Sequence, residues 1–108
     1  MQHDHFHFIG IGGAGMSGIA RIMLAQGVKV SGSDAKESAV THQLETLGAT
    51  IYIGHSSVNQ ENADVVVVSS AIADSNSELS AAKARGAKIL PRAEALALVM
   101  TGKRSVAV

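Results

Sequence analysis

The sequence has no cysteine, no tryptophan and a single proline among its 108 residues. Without cysteine the chain can form neither disulfides nor thiolate metal sites, a composition that suits the cytosol. Two phenylalanines and one tyrosine are too few for a surface that stacks nucleic-acid bases. Nine acidic and nine basic residues leave no net charge to hold a phosphate backbone. The composition therefore argues against a nucleic-acid partner.

Long apolar runs and a basic leader are also missing. No uninterrupted apolar stretch reaches the roughly 18 residues that a membrane-spanning helix needs. The N-terminus does not show a basic region followed by an apolar one. We therefore expect no membrane partner, no signal peptide and a cytoplasmic location. The chain is still 46% apolar, which is enough for one small domain with one core.

Short apolar runs alternate with amphipathic runs along the chain. They predict five strands, at His5–Ile9, Val28–Ser33, Ala49–Ile53, Ala63–Ser69 and Lys88–Leu90. They predict four helices, at Ala14–Gln26, Ser38–Leu47, Ser75–Arg85 and Arg92–Met100. The unbroken valine run within the fourth strand is typical of a strand buried on both faces of a parallel sheet. We therefore predict a doubly wound, Rossmann-like α/β fold with helices on both faces of the sheet.

Local end signals complete this prediction. Ser38 is expected to cap the second helix, and Ser75 with Glu78 to form a capping box on the third. Gly102 is expected to end the last helix, after which Ser105–Val108 begins another apolar run. Three methionines are predicted to fill the core: Met16, Met23 and Met100.

A glycine-rich segment between the first strand and the first helix carries the strongest functional signal. Gly10, Gly12 and Gly15 fit the pattern G-x-G-x-x-G. In such a turn, amides at a helix N-terminus can approach a diphosphate because no side chain blocks the way. The alternative is a tight turn that only lets the helix pack on the sheet. The flanking strand and helix, with Asp34 closing the next strand, favour phosphate binding.

The loops expected at the carboxyl ends of the strands are rich in polar residues. They are Gly10–Gly15, Ser33–Lys36, Gly54–Ser57 and Ser70–Asn76. The loops at the opposite edge are short glycine stops with little polar chemistry. Since ligands of doubly wound sheets bind beyond the carboxyl ends, we predict the site at this edge.

Four residues at this edge are individual candidates. The Asp34 carboxylate can accept hydrogen bonds from both hydroxyls of a ribose, or it is a solvated turn residue or helix cap. Ser69 and Ser70 follow the valine strand and either face the ligand crevice or cap the backbone. His55 follows the third strand and either lies near the ligand or is an exposed loop histidine.

Three alternating histidines near the N-terminus can suggest a metal site. His5 and His7 are expected on one face of the first strand, and His3 precedes them. They are expected to have no cysteine partner and no acidic partner beyond Asp4. We therefore predict no metal site.

Four ordered motifs resemble the N-terminal domain of the Mur ligases of bacterial peptidoglycan synthesis. They are Gly10–Met16, Ser31–Asp34 followed by Leu47-Gly48-Ala49, Val67–Ile72, and Pro91–Glu94. The resemblance covers essentially the whole chain. It points to the type that adds L-alanine to UDP-N-acetylmuramate, although the murein tripeptide ligases are similar in layout.

The resemblance implies a three-domain enzyme. The N-terminal domain binds the UDP portion of UDP-N-acetylmuramate, a central domain binds ATP and Mg²⁺, and a C-terminal domain helps to bind L-alanine. In the family's reaction the muramyl carboxylate becomes an acyl phosphate that the alanine amine attacks. The resemblance implies no catalytic residue here and these substrate-binding residues: Gly10, Gly12, Gly13, Ala14, Gly15, Met16, Ser33, Asp34, His55, Ser69, Ser70, Ala71 and Ile72.

Roles within this set also come from the resemblance. The residues from Gly12 to Gly15 would offer amides to the diphosphate, and Ser33 and Asp34 would face the ribose or uracil. His55 would lie near the uracil, and Ser70 to Ile72 would close over the nucleotide from the other side.

One departure from the family pattern limits what this chain is expected to do. The G-x-x-x-x-G-K-[ST] loop of the ATP-binding domain is missing, since Gly102-Lys103 is followed by Arg104. We expect residues 1–102 to form the UDP-sugar-binding domain, residues 103–108 to begin the connection to the ATP-binding domain, and the chain alone to be non-catalytic. Two alternatives remain: an NAD(P)-binding Rossmann module and a structural module that binds nothing.

Overall fold

The computed structural model describes residues 5–54, 56, 63–69, 72 and 75–107. They contain five strands and four helices, and each strand except the third is followed by a helix. The strands are β1 (His5–Ile9), β2 (Lys29–Asp34), β3 (Thr50–Ile53), β4 (Val65–Val68) and β5 (Lys88–Pro91). The helices are α1 (Ala14–Ala25), α2 (Ala39–Thr46), α3 (Ser77–Ala84) and α4 (Arg92–Ala107). The predicted α/β alternation is confirmed.

All five strands are parallel and follow the order β3-β2-β1-β4-β5. Phe8 of β1 lies between Gly32 of β2 and Val67 of β4, so the first strand occupies the centre. The chain builds one half of the sheet outward from β1 and then returns to build the other half from β4. The strand order therefore reverses between β1 and β4, the place where doubly wound sheets bind their ligands.

The valine strand β4 is buried from both sides, as predicted. Val65 and Val67 belong to a cluster that includes residues of α1 and α4. Val66 faces the opposite way, into a smaller cluster that includes Leu79 and Ala82 of α3. Burying each such side chain contributes roughly 1.5–3 kcal/mol, so one strand holds both helical layers on the sheet.

The methionine prediction is confirmed in part. Met16 and Met23 are buried in the larger cluster. Met100 is 54% exposed, so its assignment to the core was wrong. The buried side of α4 is formed instead by Ala95 and Val99, which lie one helical turn apart and leave Met100 on another side of the helix.

The last helix is longer than predicted. It continues through Gly102 to Ala107, so the predicted stop at Gly102 and the separate apolar run beginning at Ser105 were wrong. A glycine inside a helix costs only about 1 kcal/mol relative to alanine, which is too little to end it. Among the described residues, even this helix is neither long nor apolar enough to cross a membrane.

The start of α3 also differs from the prediction. Oδ1 of Asn76 accepts hydrogen bonds from the amides of Glu78 at 2.9 Å and Leu79 at 3.2 Å. Asn76 is therefore the N-cap, and the capping box of Ser75 and Glu78 was wrong. Asparagine caps a helix as well as serine does, and the Glu78 side chain is fully buried and bonded elsewhere.

Candidate functional site

The glycine turn, Gly10–Gly15, joins the carboxyl end of β1 to α1 and is fastened to the neighbouring strand. The amides of Gly10 and Ile11 both donate to the carbonyl of Ser33, at 2.8 and 2.9 Å. Gly10 has a φ of +79°, which side chains strongly disfavour. The amide of Gly13 then donates back to the Gly10 carbonyl at 3.0 Å. These bonds fix the turn at the sheet edge where the ligand site is predicted.

The first turn of α1 has an uncovered positive end. Gly13 is the N-cap and has no side chain with which to cap the helix. Its carbonyl accepts hydrogen bonds from the amides of Met16 and Ser17. The amides of Ala14 and Gly15 precede those two and have no acceptor within the helix. Since the first turn carries no acidic residue, these amides and the helix dipole form a site suited to an anion.

Asp34, at the end of β2, lies directly over the glycine turn. Its Oδ2 accepts a hydrogen bond from the amide of Gly12 at 2.9 Å. A Cβ at Gly12 would lie 2.7 Å from the same oxygen, so only glycine allows this approach. The Gly12 amide, assigned by resemblance to the diphosphate, is thus directed to Asp34 in this structure. A carboxylate has about four acceptor positions, so this bond leaves it able to accept ribose hydroxyls.

Ile72, which follows β4 in the sequence, approaches the glycine turn from the β4 side of the sheet. A Cβ at Gly10 would lie in ordinary contact with Cδ1 of Ile72, at 3.6 Å. The amide of Ile72 donates to the carbonyl of Ser69 at 3.1 Å. The structure therefore places Ile72 beside the glycine turn and Ser69 in a backbone hydrogen bond with Ile72.

The remaining predicted residues fall into two groups. Met16 and Ser33 are buried: the first packs in the core beneath the turn, and the second anchors the turn through its carbonyl. Three others lie outside the described residues, namely His55, Ser70 and Ala71.

One residue at this edge was not among the sequence candidates. Arg92 opens α4, immediately after β5. A Cβ at Gly15 would lie 2.7 Å from Nη1 of Arg92 and 2.8 Å from its Cδ, so the arginine side chain lies against the first turn of α1. The signal in the sequence was a cationic residue at the carboxyl end of a predicted strand, following Pro91.

The two histidines of β1 form hydrogen bonds with polar side chains of other elements. Nδ1 of His7 lies 2.8 Å from Oγ of Ser31, and its Nε2 lies 2.5 Å from Oε1 of Glu78. Nε2 of His5 lies 2.8 Å from the same Ser31 oxygen. The expectation that His7 lacks an acidic partner was wrong, because Glu78 is 71 residues away in the sequence. The described residues contain no group of three or more ligands placed to hold a metal.

Comparison with known proteins gives consistent matches. The sequence model described as "Mur ligase family, catalytic domain" matches residues 5–104. The UDP-N-acetylmuramate–L-alanine ligase of Thermobifida fusca is 59% identical over 102 residues, which are 94% of this chain and 22% of that protein.

Two solved structures extend the match to three dimensions. The UDP-N-acetylmuramate–alanine ligase of Thermotoga maritima has a TM-score of 0.86 at 33% identity, covering 92% of this chain and 23% of that one. The UDP-N-acetylmuramate:L-alanyl-γ-D-glutamyl-meso-diaminopimelate ligase from Neisseria meningitides has a TM-score of 0.76 at 34% identity, covering 82% of this chain and 28% of that one. The chain thus spans about a quarter of the length of these relatives.

Proposed function

Because the chain belongs to the Mur ligase family, we propose that it binds the UDP portion of UDP-N-acetylmuramate at the glycine turn. The observation that carries this proposal is the position of Asp34, whose carboxylate is held 2.9 Å from the Gly12 amide. A ribose acceptor therefore stands beside a helix N-terminus that suits a diphosphate. In doubly wound folds, a nucleotide places its diphosphate at such a helix N-terminus and its ribose at such an acidic residue.

The diphosphate is assigned to the first turn of α1. The amides of Ala14 and Gly15 point out of the helix without internal acceptors, and the helix dipole adds a partial positive charge. A hydrogen bond to a charged group contributes about 1.5–3 kcal/mol, so two such bonds are a substantial part of nucleotide affinity.

The ribose and the base are assigned to the neighbouring loops. Asp34 accepts the two ribose hydroxyls, and Ser33 lies beside it at the end of β2. Ile72 covers the nucleotide from the side of β4. By the family resemblance, His55 and the Ser70–Ala71 pair contact the uracil end of the ligand.

No ATP-dependent step is assigned to this chain. Its sequence lacks the G-x-x-x-x-G-K-[ST] loop that holds nucleotide phosphates in the family, and its described residues offer no clustered metal ligands. We propose that ATP, Mg²⁺ and L-alanine are bound by other parts of a longer ligase. The contribution of this chain is to hold the UDP-sugar.

Calorimetric titration with UDP-N-acetylmuramate, UDP and NAD tests the proposal. We expect saturable binding of both uridine nucleotides and little binding of NAD. Tighter binding of NAD than of UDP would favour a dinucleotide-binding module. A complete absence of heat with all three would favour a module that binds nothing.

The variant Asp34→Ala tests the ribose contact. It should weaken UDP binding by about 1.5–3 kcal/mol, because hydrogen bonds to a carboxylate are lost. Binding of 2′,3′-dideoxy-UDP should change far less, since that ligand has no diol to lose. Glu45→Ala, which removes an exposed carboxylate from α2, is the matched control. Equal losses for UDP and its dideoxy analogue would contradict the assignment of Asp34 to the ribose.

A further inference from the structure

Arg92 is exposed and places its positive charge beside the N-termini of two helices. It is the first residue of α4, and its guanidinium lies against the first turn of α1. Both places are helix N-termini, which carry a partial positive charge and disfavour a cation. The first turn of α1 has no acidic residue of its own, and the nearby Asp34 carboxylate is bonded to the Gly12 amide. Glu94 lies in the first turn of α4, but residues two positions apart do not face each other on a helix.

The position of Arg92 in the fold is as informative as its charge. β4 separates β5 from β1 in the sheet, and α1 and α4 contribute to the same core cluster. The arginine therefore joins the N-termini of two helices at the carboxyl edge of the sheet. The strand order reverses at the same place, between β1 and β4.

We propose that Arg92 is a diphosphate-binding residue that holds the anion against the amides of Ala14 and Gly15. This inference rests on the proposed function of the glycine turn. A guanidinium presents five N–H donors in a planar fork that matches phosphate oxygens. An anion between the arginine and the helix end turns their mutual repulsion into two attractions.

The inference also gives Gly15 a specific task. A Cβ at this position would lie within 3.1 Å of three side-chain atoms of Arg92, including Nη1 at 2.7 Å. Glycine at position 15 therefore makes room for the arginine itself, in addition to any room that it leaves for the ligand. A purely structural reading is that the apolar stem of the arginine covers the helix turn.

Titration of arginine variants with uridine, UMP and UDP separates these two roles. Arg92→Met keeps much of the apolar stem and removes the charge. It should weaken the affinity for UDP about 10- to 100-fold, which is the range for lost hydrogen bonds to a charged group. The affinity for uridine should be unchanged. The UDP affinity of Arg92→Lys should lie between those of the parent chain and Arg92→Met, because lysine keeps a positive charge without the planar fork of donors. Lys88→Met is the matched control, since it removes an exposed cation from the opposite end of β5.

A pair of alanine variants tests the contact from the other side. Gly15→Ala places a methyl group where the arginine lies, whereas Gly18→Ala in the same helix meets nothing within 4 Å. Alanine raises helix propensity at both sites, so neither variant should melt below the parent chain. We expect Gly15→Ala to weaken the affinity for UDP several-fold and Gly18→Ala to leave that affinity unchanged.

The outcomes distinguish this inference from the function on which it rests. If the parent chain does not bind UDP, both are overturned. If the parent binds UDP and Arg92→Met binds it equally well, the arginine only packs and the function of the turn stands. A loss that is equal for uridine and UDP would also overturn the inference, because uridine has no phosphate for the arginine to hold.

Discussion

The buried network around His7 and the glycine turn at the carboxyl end of β1 differ in how many of their hydrogen-bonding groups have partners within the protein. In the sheet interior, His7 is fully buried between Ser31 and Glu78. At the carboxyl end, the glycine turn leads to helix amides that have no acceptor within the helix. Among the described residues, every buried side-chain nitrogen and oxygen has a partner. The contrast separates a region that holds the fold together from a region that is open to a ligand.

The difference follows from what each region is made of. The interior network joins β1, β2 and α3 through side chains, so its geometry depends on three distant segments. The glycine turn consists mostly of backbone, and glycine leaves its amides uncovered. Side chains in the first region are therefore expected to control stability, and backbone positions in the second to control affinity.

The largest expected effect comes from breaking the interior network. Glu78→Leu keeps the side-chain volume but leaves His7 facing an apolar group. Leaving the buried His7 without its partner costs roughly 1–3 kcal/mol of unfolding free energy if it is neutral, and more if it is charged. Urea denaturation measures this loss, and UDP affinity of the folded protein should be unchanged.

Two controls bracket that result. The double variant His7→Phe with Glu78→Leu should recover much of the stability, because apolar replacements of buried pairs are often neutral. Ser31 keeps His5 as a partner in that variant. Glu37→Ala, which breaks the exposed contact with His42, should have little effect. If Glu78→Leu denatures at the same urea concentration as the parent, the network does not stabilise the fold.

Features that depend on neighbouring residues were predictable from the sequence, whereas contacts between distant residues were not. The strand and helix alternation and the glycine turn depend on patterns within a few residues, and the structure agrees with them. The partnership of His7 with Glu78 spans 71 residues and depends on how α3 lies over the sheet. The contact of Arg92 with Gly15 likewise requires two helices to meet. Periodicity contains no information about either.

Local signals failed in a different way. The cap on α2 was predicted correctly because Ser38 is the one strong capping residue next to its helix, and its side chain accepts from the Thr41 amide. At α3, Ser75 and Asn76 are adjacent and both are good caps, so the sequence could not choose between them. Gly102 shows the same ambiguity, because a glycine permits a helix end without requiring one.

An intermediate effect is expected at the glycine turn. Gly12→Val places a branched side chain where Oδ2 of Asp34 approaches to 2.7 Å from the Cβ position. The carboxylate must move away, and the added bulk blocks the turn. We expect UDP binding to weaken by about 1–3 kcal/mol, as measured by calorimetry. Gly18→Val, at an open position of α1, controls for adding a valine that does not meet Asp34.

Gly12→Val is designed to separate affinity from stability. Its UDP affinity should fall more than its stability in urea, which is the reverse of Glu78→Leu. If Gly12→Val loses stability and keeps its UDP affinity, the proposed division between an interior that holds the fold and a turn that binds the ligand is wrong.

The smallest expected effect concerns the cap that positions Glu78. Asn76 accepts hydrogen bonds from the amides of Glu78 and Leu79, so it fixes the start of the helix that carries the buried carboxylate. Asn76→Ala should cost about 1 kcal/mol of unfolding free energy, a typical value for a lost N-cap. Ser75→Ala is the matched control and should cost far less, because Asn76 supplies the cap. If urea denaturation shows a larger loss of stability for Ser75→Ala than for Asn76→Ala, the capping box of Ser75 and Glu78 is supported and the Asn76 cap is contradicted.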